Sequence, residues 1–498
     1  MNSLRKSVIK YRSQIWVLVC FGVGIFMMCN NLFHSALWGD EWCEYDFSQW
    51  PFSGTDWNFY YIVTHTYQPP LYNLIMHFWL MVSKSLKWFR LFNIIPGFIS
   101  LVALYKSIME LLDKKIYAGI SVLLLSCCYQ WIYYVQECAE YCLMLMFLFL
   151  ATMFWIRLMC KNRVMDYMLF VISIVCAIYS QYGGAIVGIP LICFAFLEGI
   201  KNWKDKRKFW IIQFSFAMGA VSGLILYRFF LSIQVARMQE VYSYSIETLN
   251  IGMFGDIFLN IGKILHWLFK MPENKYGVLY CVIIGMLFLS VAVWCLCKTW
   301  NSLKAKVVKV FLLTYLFHFL LVKSWLYARG AIEERYSLFF LPITVLTVCV
   351  IIEFLISEAT KIKTCIVIAS VVFVFVIFSA SKILPNWNKA YDDYIAKIWY
   401  ENVFNKGYSE KIYFVGYPSY PIIYYLEKYG YDYKSTTRNM TDADVNNETE
   451  LENEFWIWST GWGNNNYDLI VDKAKNEGYT VEVFCDFQTK GMLAYCNK

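Results

Sequence analysis

Residues 141–157 read YCLMLMFLFLATMFWIR, an apolar run that ends at a single charged side chain, Arg157. A segment that crosses a bilayer needs about 20 mostly apolar residues, since each backbone polar group must be satisfied within the helix once water is absent. Ten further runs of this kind lie at 15–36, 91–109, 116–135, 167–182, 184–200, 209–231, 277–297, 309–323, 337–357 and 363–383. The composition, 59% apolar and 16% charged, also departs from the roughly 45–50% and 25% of soluble domains. The sequence therefore predicts an α-helical polytopic membrane protein with about eleven transmembrane helices.

The basic residues predict which ends of these helices face the cytoplasm. Six short stretches hold 21 of the 44 Lys and Arg residues, and they are 1–14, 106–115, 157–163, 201–208, 298–309 and 361–363. Short cytoplasmic loops collect Lys and Arg, and all six stretches are cytoplasmic if Pro70–Val82 is an interfacial helix rather than a span. Counting this short segment as a span places five of the six outside. We therefore expect a multi-pass protein of the cytoplasmic membrane with a cytoplasmic N-terminus, and outer segments at 37–90, 136–140, 232–276, 324–336 and 384–498.

The end of the chain has a different character from the rest. Residues 385–498 contain 17 acidic and 11 basic residues and no apolar run of spanning length. Their patterns predict strands at 411–415, 455–459 and 481–487 and helices at 420–429 and 467–478. We expect a membrane domain at 1–384, whose first outer loop at 37–90 is catalytic, and a small extracytoplasmic α/β domain at 385–498. Cys485 and Cys496 could form a disulfide in that domain or remain two unpaired thiols.

Polar residues concentrate in four outer stretches beside the membrane. These stretches are Trp38–Trp42 (WGDEW), His65–Tyr72 (HTYQPPLY), Gln136–Tyr141 (QECAEY) and Arg329–Pro342 (RGAIEERYSLFFLP). A carboxylate beside a membrane cavity can act as a general base, and an arginine suits a phosphate because its fork forms two hydrogen bonds. The pattern predicts chemistry on a lipid-linked phosphate, and we expect no nucleic-acid partner.

The order of these motifs resembles the GT-C glycosyltransferases of the protein O-mannosyltransferase type. Similar proteins are the aminoarabinose transferases and the rhizobial lipopolysaccharide glycosyltransferases. The resemblance rests on Asp-Glu in the first outer loop, then Pro-Pro-Leu-Tyr, then Gln-Glu…Tyr, then Arg-Tyr…Pro, and it extends over about residues 15–360. It implies that a sugar is transferred with inversion from a polyprenyl-phosphate donor to an acceptor hydroxyl on the outer face. The acceptor is then a glycan, a glycolipid or a protein.

The resemblance also assigns roles to individual residues. Asp40 becomes the general base, and Glu41 orients the acceptor hydroxyl or shares a divalent cation with Asp40. Arg335 becomes the clamp for the donor phosphate, with Arg329, Lys84 and Lys87 as further candidates. The remaining substrate-binding candidates are His65, Gln68, Gln136, Glu137, Tyr141 and Tyr336.

Two departures and several simpler roles accompany these assignments. Gln68 occupies a position where the family usually has a histidine, for which His65 could substitute. Ala139 occupies one where the family commonly has an arginine: Arg329 or Arg335 could compensate, the acceptor could differ, or activity could be lost. Because Asp40 and Glu41 are retained, altered specificity is favoured over loss. Glu137 could instead cap the following helix, and Arg335 could pair with a neighbouring glutamate. His65 could join Asp40 and Glu41 in a metal site.

Two other functional classes remain open from the sequence. The first is a transporter or flippase for a lipid-linked sugar, which would want charged residues in mid-span. The second is a lipid-diphosphate-dependent glycan polymerase or ligase, which would hold its essential residues in large loops late in the chain.

Overall fold

The fold was obtained as a computed structural model. It describes residues 2–30, 32–33, 37, 39–50, 58–66, 68–241, 255–269, 277–321, 334–358, 391–415, 426, 437–440, 452–459, 466–486 and 492–498. The expected span at 363–383 and the expected helix at 420–429, apart from Leu426, lie outside these residues.

Helices dominate the chain up to residue 358. They are α1 (Asn2–Cys29), α2 (Gly39–Phe47), α3 (Phe59–Thr66), α4 (Leu71–Leu80), α5 (Leu86–Leu91), α6 (Ile94–Leu112), α7 (Lys115–Ser126), α8 (Tyr129–Gln136), α9 (Glu140–Lys161), α10 (Val164–Ser180), α11 (Gly184–Ile200), α12 (Lys206–Leu226), α13 (Ser232–Val241), α14 (Gly255–Phe269), α15 (Gly277–Lys298), α16 (Leu303–Leu321) and α17 (Leu341–Glu358). A π-helical turn, Tyr227–Leu231, joins α12 to α13, and a 3₁₀ helix, Glu334–Phe340, leads into α17.

The apolar runs of the sequence form helices, as expected for a membrane protein. Among the described residues, five helical segments are long and apolar enough to cross a membrane, and three shorter apolar helices accompany them. The five are Leu86–Leu112, Glu140–Lys161, Lys206–Arg237, Leu279–Lys298 and Ser337–Glu358. The predicted fold class, a helical polytopic membrane protein, is confirmed.

The run expected at 116–135 differs from the expectation because it is broken. Helices α7 and α8 meet at an angle of 62°. The break lies at Cys128, whose backbone is extended, with φ −74° and ψ 115°. Hydropathy alone did not show this break, because apolar residues continue through it.

Ion pairs join several helix ends that carry the basic stretches. The carboxylate of Glu353 near the end of α17 pairs with Lys114 before α7 and with Lys304 at the start of α16. Glu198 near the end of α11 lies 3.5 Å from Lys306. These ends were expected on one side of the bilayer, and the contacts place them side by side.

The opposite helix ends are joined by side-chain amides. Gln136, at the end of α8, donates to the Asn30 carbonyl after α1. Gln234 of α13 donates to the Val63 carbonyl of α3. Gln136, Gln234 and Val63 belong to segments expected on the outer face, and Asn30 lies within the expected span 15–36.

The segment Pro70–Val82 forms a short helix rather than a span. Helix α4 covers ten residues, Leu71–Leu80. It is joined to α5 by Trp79 and Trp88, whose rings stack at 4.2 Å and whose indole N–H groups each donate to the other residue's carbonyl at 2.9 Å. This length suits an interfacial helix.

The C-terminal part is a small α/β domain, as predicted. It contains helix α18 (Tyr391–Lys406), strands β1 (Ile412–Val415), β2 (Thr437–Met440) and β3 (Glu454–Ser459), helix α19 (Asn466–Asn476), and strands β4 (Thr480–Asp486) and β5 (Met492–Asn497). The sheet order is β2-β1-β3-β5-β4, with β1 parallel to β2 and β3, and β5 antiparallel to β3 and β4. The sequence had not predicted α18, β2 or β5.

Alternation along β3 explains how the two helices cover the sheet. Trp456 and Trp458 pack in a core with α18, whereas Phe455 and Ile457 pack with Ile470 of α19. Successive strand residues point to opposite faces, so β3 is buried on both sides.

Cys485 and Cys496 are both free thiols. Cys485 lies opposite Leu493, and Cys496 lies opposite Val481, on adjacent strands. The two cysteines are therefore offset by roughly 10 Å along the strands, which exceeds the span of a disulfide.

By its contacts the chain divides into two compact units. One consists of Met1–Leu32 and Phe47–Asn386, and the other of Phe33–Asp46 and Trp387–Lys498. Residues 33–46, which hold Asp40 and Glu41, thus group with the C-terminal domain.

Candidate active site

The predicted catalytic carboxylates lie in the first turn of α2. Glu41 is fully buried, whereas Asp40 is half-buried. Glu44, one turn further, is also buried. Asp40 is therefore the more accessible of the two predicted carboxylates, as a base that meets an incoming hydroxyl must be.

Helix α2 carries a strong negative charge. Burial, with smaller contributions from the carboxylates of Glu44, Asp40 and Asp46, raises the pKa of Cys43 to about 12. Burial also raises the pKa of Asp46 to about 6. A nine-residue helix with four acidic side chains at 40, 41, 44 and 46 favours the uptake of protons.

The predicted metal site at Asp40 and Glu41 gains no support from the residues described. No group of three or more His, Cys, Asp or Glu side chains in this part of the chain could hold a metal ion. We therefore assign no chemistry to a metal at Asp40 and Glu41.

His65, at the end of α3, is held in one orientation. Its Nδ1 lies 2.6 Å from the Tyr61 carbonyl, and its ring stacks on the Tyr61 ring at 3.6 Å. A carbonyl only accepts, so Nδ1 carries the hydrogen. In the neutral ring Nε2 is then the acceptor, and it can accept a hydrogen bond from a hydroxyl group.

Gln68 precedes the buried pair Pro69 and Pro70 at the start of α4. Its backbone carbonyl accepts a hydrogen bond of 2.8 Å from Gln234. Its Oε1 is buried and has no hydrogen-bond partner among the described residues. Such an acceptor suits a ligand hydroxyl.

Gln136 holds the end of α1. Its Nε2 lies 3.1 Å from the carbonyls of Met27 and Met28 and 2.7 Å from that of Asn30. The last carbonyls of a helix lack intrahelical partners, and Gln136 satisfies them. Its amide nitrogen is thus engaged by the protein itself.

The turn between α8 and α9 is buried. Glu137, Glu140 and Tyr141 are at most 8% exposed, and the Asn93 amide donates to the Glu137 carbonyl. The N-cap of α9 is Ala139, in extended backbone. Glu140, rather than Glu137, is the acidic residue in the first turn of α9.

Arg90, at the end of α5, is a buried charged residue that the sequence reasoning missed. It is 3% exposed, and its Nη1 donates to the Leu32 carbonyl at 3.3 Å. Asn93 follows one turn later, and the neighbouring Phe92 ring contacts Tyr72 of α4 at 6.2 Å. The signal in the sequence was an arginine within an apolar run at a membrane boundary, which is a functional candidate by default.

The segment 90–93 therefore brings three parts of the membrane unit together. It contacts the end of α1 through Leu32, the start of α4 through Tyr72, and the α8–α9 turn through Glu137. The carboxylates of Asp40 and Glu41 belong to the other compact unit.

The phosphate-clamp candidates differ in environment. Arg335 is half-buried on the 3₁₀ helix before α17, whereas Lys84 and Lys87 are exposed. Arg329 and the side chain of Tyr336 lie outside the described part of the chain.

Residues 67–227 match the model of the family described as dolichyl-phosphate-mannose-protein mannosyltransferase. The matched segment includes both the Pro-Pro-Leu-Tyr and the Gln-Glu…Tyr motifs. The resemblance to the GT-C glycosyltransferases is confirmed. No curated protein matches the chain in sequence.

The solved structures that are similar to the chain include two of ArnT and one of EmbB. ArnT from Cupriavidus metallidurans in the apo state is 12% identical, with 98% of each chain covered and a TM-score of 0.45. The same protein bound to undecaprenyl phosphate is 12% identical, with 97% of each chain covered and a TM-score of 0.46. The arabinosyltransferase EmbB from Mycobacterium smegmatis is 10% identical over 74% of this chain and 40% of that chain, with a TM-score of 0.42.

Proposed function

We propose that the protein is an inverting glycosyltransferase that moves a sugar from a polyprenyl-phosphate donor to an acceptor hydroxyl on the outer face of the cytoplasmic membrane. The observation that carries this proposal is the family match over residues 67–227. The family's description contains a donor of the proposed class, a sugar on a polyprenyl phosphate. The sugar itself, hexose or pentose, is open.

In the proposed reaction Asp40 accepts the proton of the acceptor hydroxyl. The hydroxyl oxygen attacks C1 of the sugar, and the bond from C1 to the phosphate oxygen breaks with its electron pair on the phosphate. The configuration at C1 inverts. Glu41 orients the acceptor from its buried position beside Asp40.

The leaving group needs charge stabilisation rather than a general acid. A polyprenyl phosphate is a weak base, but its negative charge grows as the bond breaks, and a fixed cation lowers the energy of that state. We propose Arg335 for this role, because it is half-buried, with Arg329, Lys84 and Lys87 as alternatives.

The remaining candidates bind the two substrates. Gln68 offers its buried Oε1 and His65 its Nε2 to hydroxyl groups. Glu137 and Tyr141 line the α8–α9 turn, and Tyr336 follows Arg335. Because Gln136 holds the end of α1, we assign it a positioning role.

Product analysis by mass spectrometry tests the proposal. Cell-envelope glycans from cells with and without the gene should differ by one sugar, and the full-length wild-type protein should restore it. A variant Asp40→Asn should not restore it, although its binding of undecaprenyl phosphate in nanodiscs should persist.

The same comparison separates the other two classes. A transporter or flippase predicts that Asp40→Asn still restores the sugar. A polymerase or ligase that uses a lipid-diphosphate donor predicts a change in chain length, rather than the loss of one sugar. Either result would overturn the proposed reaction.

A further inference from the structure

Gln234, on α13, is a buried glutamine with three hydrogen bonds to distant parts of the membrane unit. It is 2% exposed. Its Oε1 accepts from the Tyr182 hydroxyl at 2.8 Å, and its Nε2 donates to the carbonyls of Val63 and Gln68 at 2.7 and 2.8 Å. The two donor hydrogens and one acceptor site of the amide are thus in use.

The two carbonyls that Gln234 holds lie on either side of His65. Val63 precedes it by two residues, and Gln68 follows it by three. One amide therefore fixes both ends of the segment 63–68, in which His65 and Gln68 are candidate substrate-binding residues.

The helix before Gln234 contains a π-helical turn that explains why this side chain faces α3. The π-helical turn Tyr227–Leu231 separates α12 from α13, and its wider winding rotates the residues that follow it relative to α12. Such turns recur at functional sites. Most of the helical segment Lys206–Arg237 is exposed, since only 17% of its apolar stretch is buried. Gln234, near the end of this segment, is nevertheless turned inward onto α3.

We propose that Gln234, oriented by Tyr182, is a positioning residue that holds His65 and Gln68 in place for the transferred sugar or its acceptor. This inference rests on the proposed glycosyltransferase function. Gln234 does not itself contact the substrate; it acts through its hydrogen bonds to the backbone of Val63 and Gln68.

The chain offers a matched control in Tyr179. Its hydroxyl donates to the Ser222 carbonyl at 2.8 Å and so ties α10 to α12. Tyr179 lies three residues before Tyr182, but its hydroxyl bonds to Ser222 and not to α13 or segment 63–68. Tyr179→Phe and Tyr182→Phe each remove one hydroxyl.

The first test measures hydrogen–deuterium exchange of the full-length protein in nanodiscs, without substrate. Gln234→Leu and Tyr182→Phe should both speed exchange in segment 59–68, and Tyr179→Phe should leave it unchanged. Tyr182→Phe keeps the test decisive if Gln234→Leu does not fold. Equal exchange in Tyr182→Phe and Tyr179→Phe overturns the inference.

The second test measures initial rates of sugar transfer in membranes of the deletion strain, which supply the natural donor and acceptor. Gln234→Leu should lower the rate about 10- to 100-fold, because a displacement of about 1 Å at a site costs roughly this much. Its affinity for undecaprenyl phosphate should stay within about 2-fold of wild type. A parallel loss of lipid affinity would indicate a merely structural role and overturn the inference.

The two tests distinguish a failure of the proposed function from a failure of the positioning role. If wild-type membranes transfer no sugar, the proposed function is wrong, while the exchange measurement still reads whether Gln234 orders segment 63–68. If transfer is intact in wild type and in Gln234→Leu alike, the glycosyltransferase stands and the positioning role is wrong.

Discussion

Helix α2 carries two aspartates, Asp40 and Asp46, of which only Asp40 has a proposed role in the reaction. If Asp40 is the general base, Asp40→Asn should lower transfer about 10²- to 10⁴-fold, the usual contribution of such a group. The measurement is the initial rate of transfer in membranes of the deletion strain.

Asp46→Asn is the matched control, because it removes one negative charge from the same helix. We expect its rate to stay within a few-fold of wild type. Equal losses in the two variants would indicate that the helix charge, and not a proton acceptor at Asp40, supports the reaction.

Asp46 also predicts a pH dependence of stability. Burial raises its pKa from 3.8 to about 6, so the folded protein binds more protons than the unfolded chain across this window. Protonated Asp46 contributes its whole stabilisation below the unfolded pKa of 3.8, and this contribution is lost as the pH rises through the folded pKa of about 6. Because asparagine does not ionise, Asp46→Asn should become more stable relative to wild type as the pH rises.

Thermal unfolding in detergent at a pH of about 4.5 and about 7.5 checks this window. The difference in Tm between Asp46→Asn and wild type should shift in favour of the variant at the higher pH. A difference that is constant across both pH values would contradict the raised pKa.

We expect substitution of Arg90 to destabilise the protein, and substitution of Lys87 on the same helix to have little effect. Arg90→Met leaves the Leu32 carbonyl without its 3.3 Å donor, and a hydrogen bond to a charged group contributes about 1.5–3 kcal/mol. Lys87→Met, on the same helix but exposed, should change the free energy of unfolding by less than about 0.5 kcal/mol. Similar unfolding midpoints in urea for both variants would contradict the anchoring role.

At the scale of elements, helices α14 and α15 approach each other closely at two glycines. A Cβ on Gly262 would lie 1.8 Å from the Cys281 carbonyl oxygen, and one on Gly285 would lie 2.1 Å from that of Phe258. The backbones can stay this close only without side chains there, as small residues allow in membrane helices.

Gly262→Ala should therefore force the two helices apart and destabilise the protein by about 1–3 kcal/mol. The control is Gly223→Ala in α12, where a Cβ meets nothing within 4 Å and higher helix propensity gives a neutral or positive change of up to about 1 kcal/mol. Thermal unfolding in detergent distinguishes the two. Equal Tm values would contradict the close crossing.

At the scale of the whole molecule, the basic stretches predict the orientation of the chain. We expect alkaline phosphatase, which needs an oxidising compartment for its disulfides, to be active when fused after Lys498 and inactive when inserted at 201–208. Activity is measured in intact bacterial cells. The reverse pattern would invert the proposed orientation and place Asp40 in the cytoplasm.

Much of the architecture could be predicted because hydropathy and charge act locally along the chain. A run such as 141–157 needs a helix in lipid whatever its neighbours are, and it forms one within α9, Glu140–Lys161. The grouping of helix ends also followed, since Lys114 and Lys304 meet at Glu353 as the basic stretches required. In the C-terminal domain, strand alternation predicted β3 to within one residue.

The site was predictable only in part. Sequence order pointed to Asp40, and the structure adds that it is more exposed than Glu41. The metal site at Asp40, Glu41 and His65 stays a prediction without support from a converging group among the described residues. The role of Ala139 also stays open to experiment.

The sequence by itself determined that this protein is a helical membrane protein and which motifs it carries in which order. Only the tertiary structure decided that Gln136 holds the end of α1, 109 residues earlier at Met27, and that Arg90 and Gln234 are buried. The physical reason is the distance along the chain over which the stabilising interactions act. A span or a strand is stabilised by residues within one window, whereas a hydrogen bond between distant segments depends on how the helices pack.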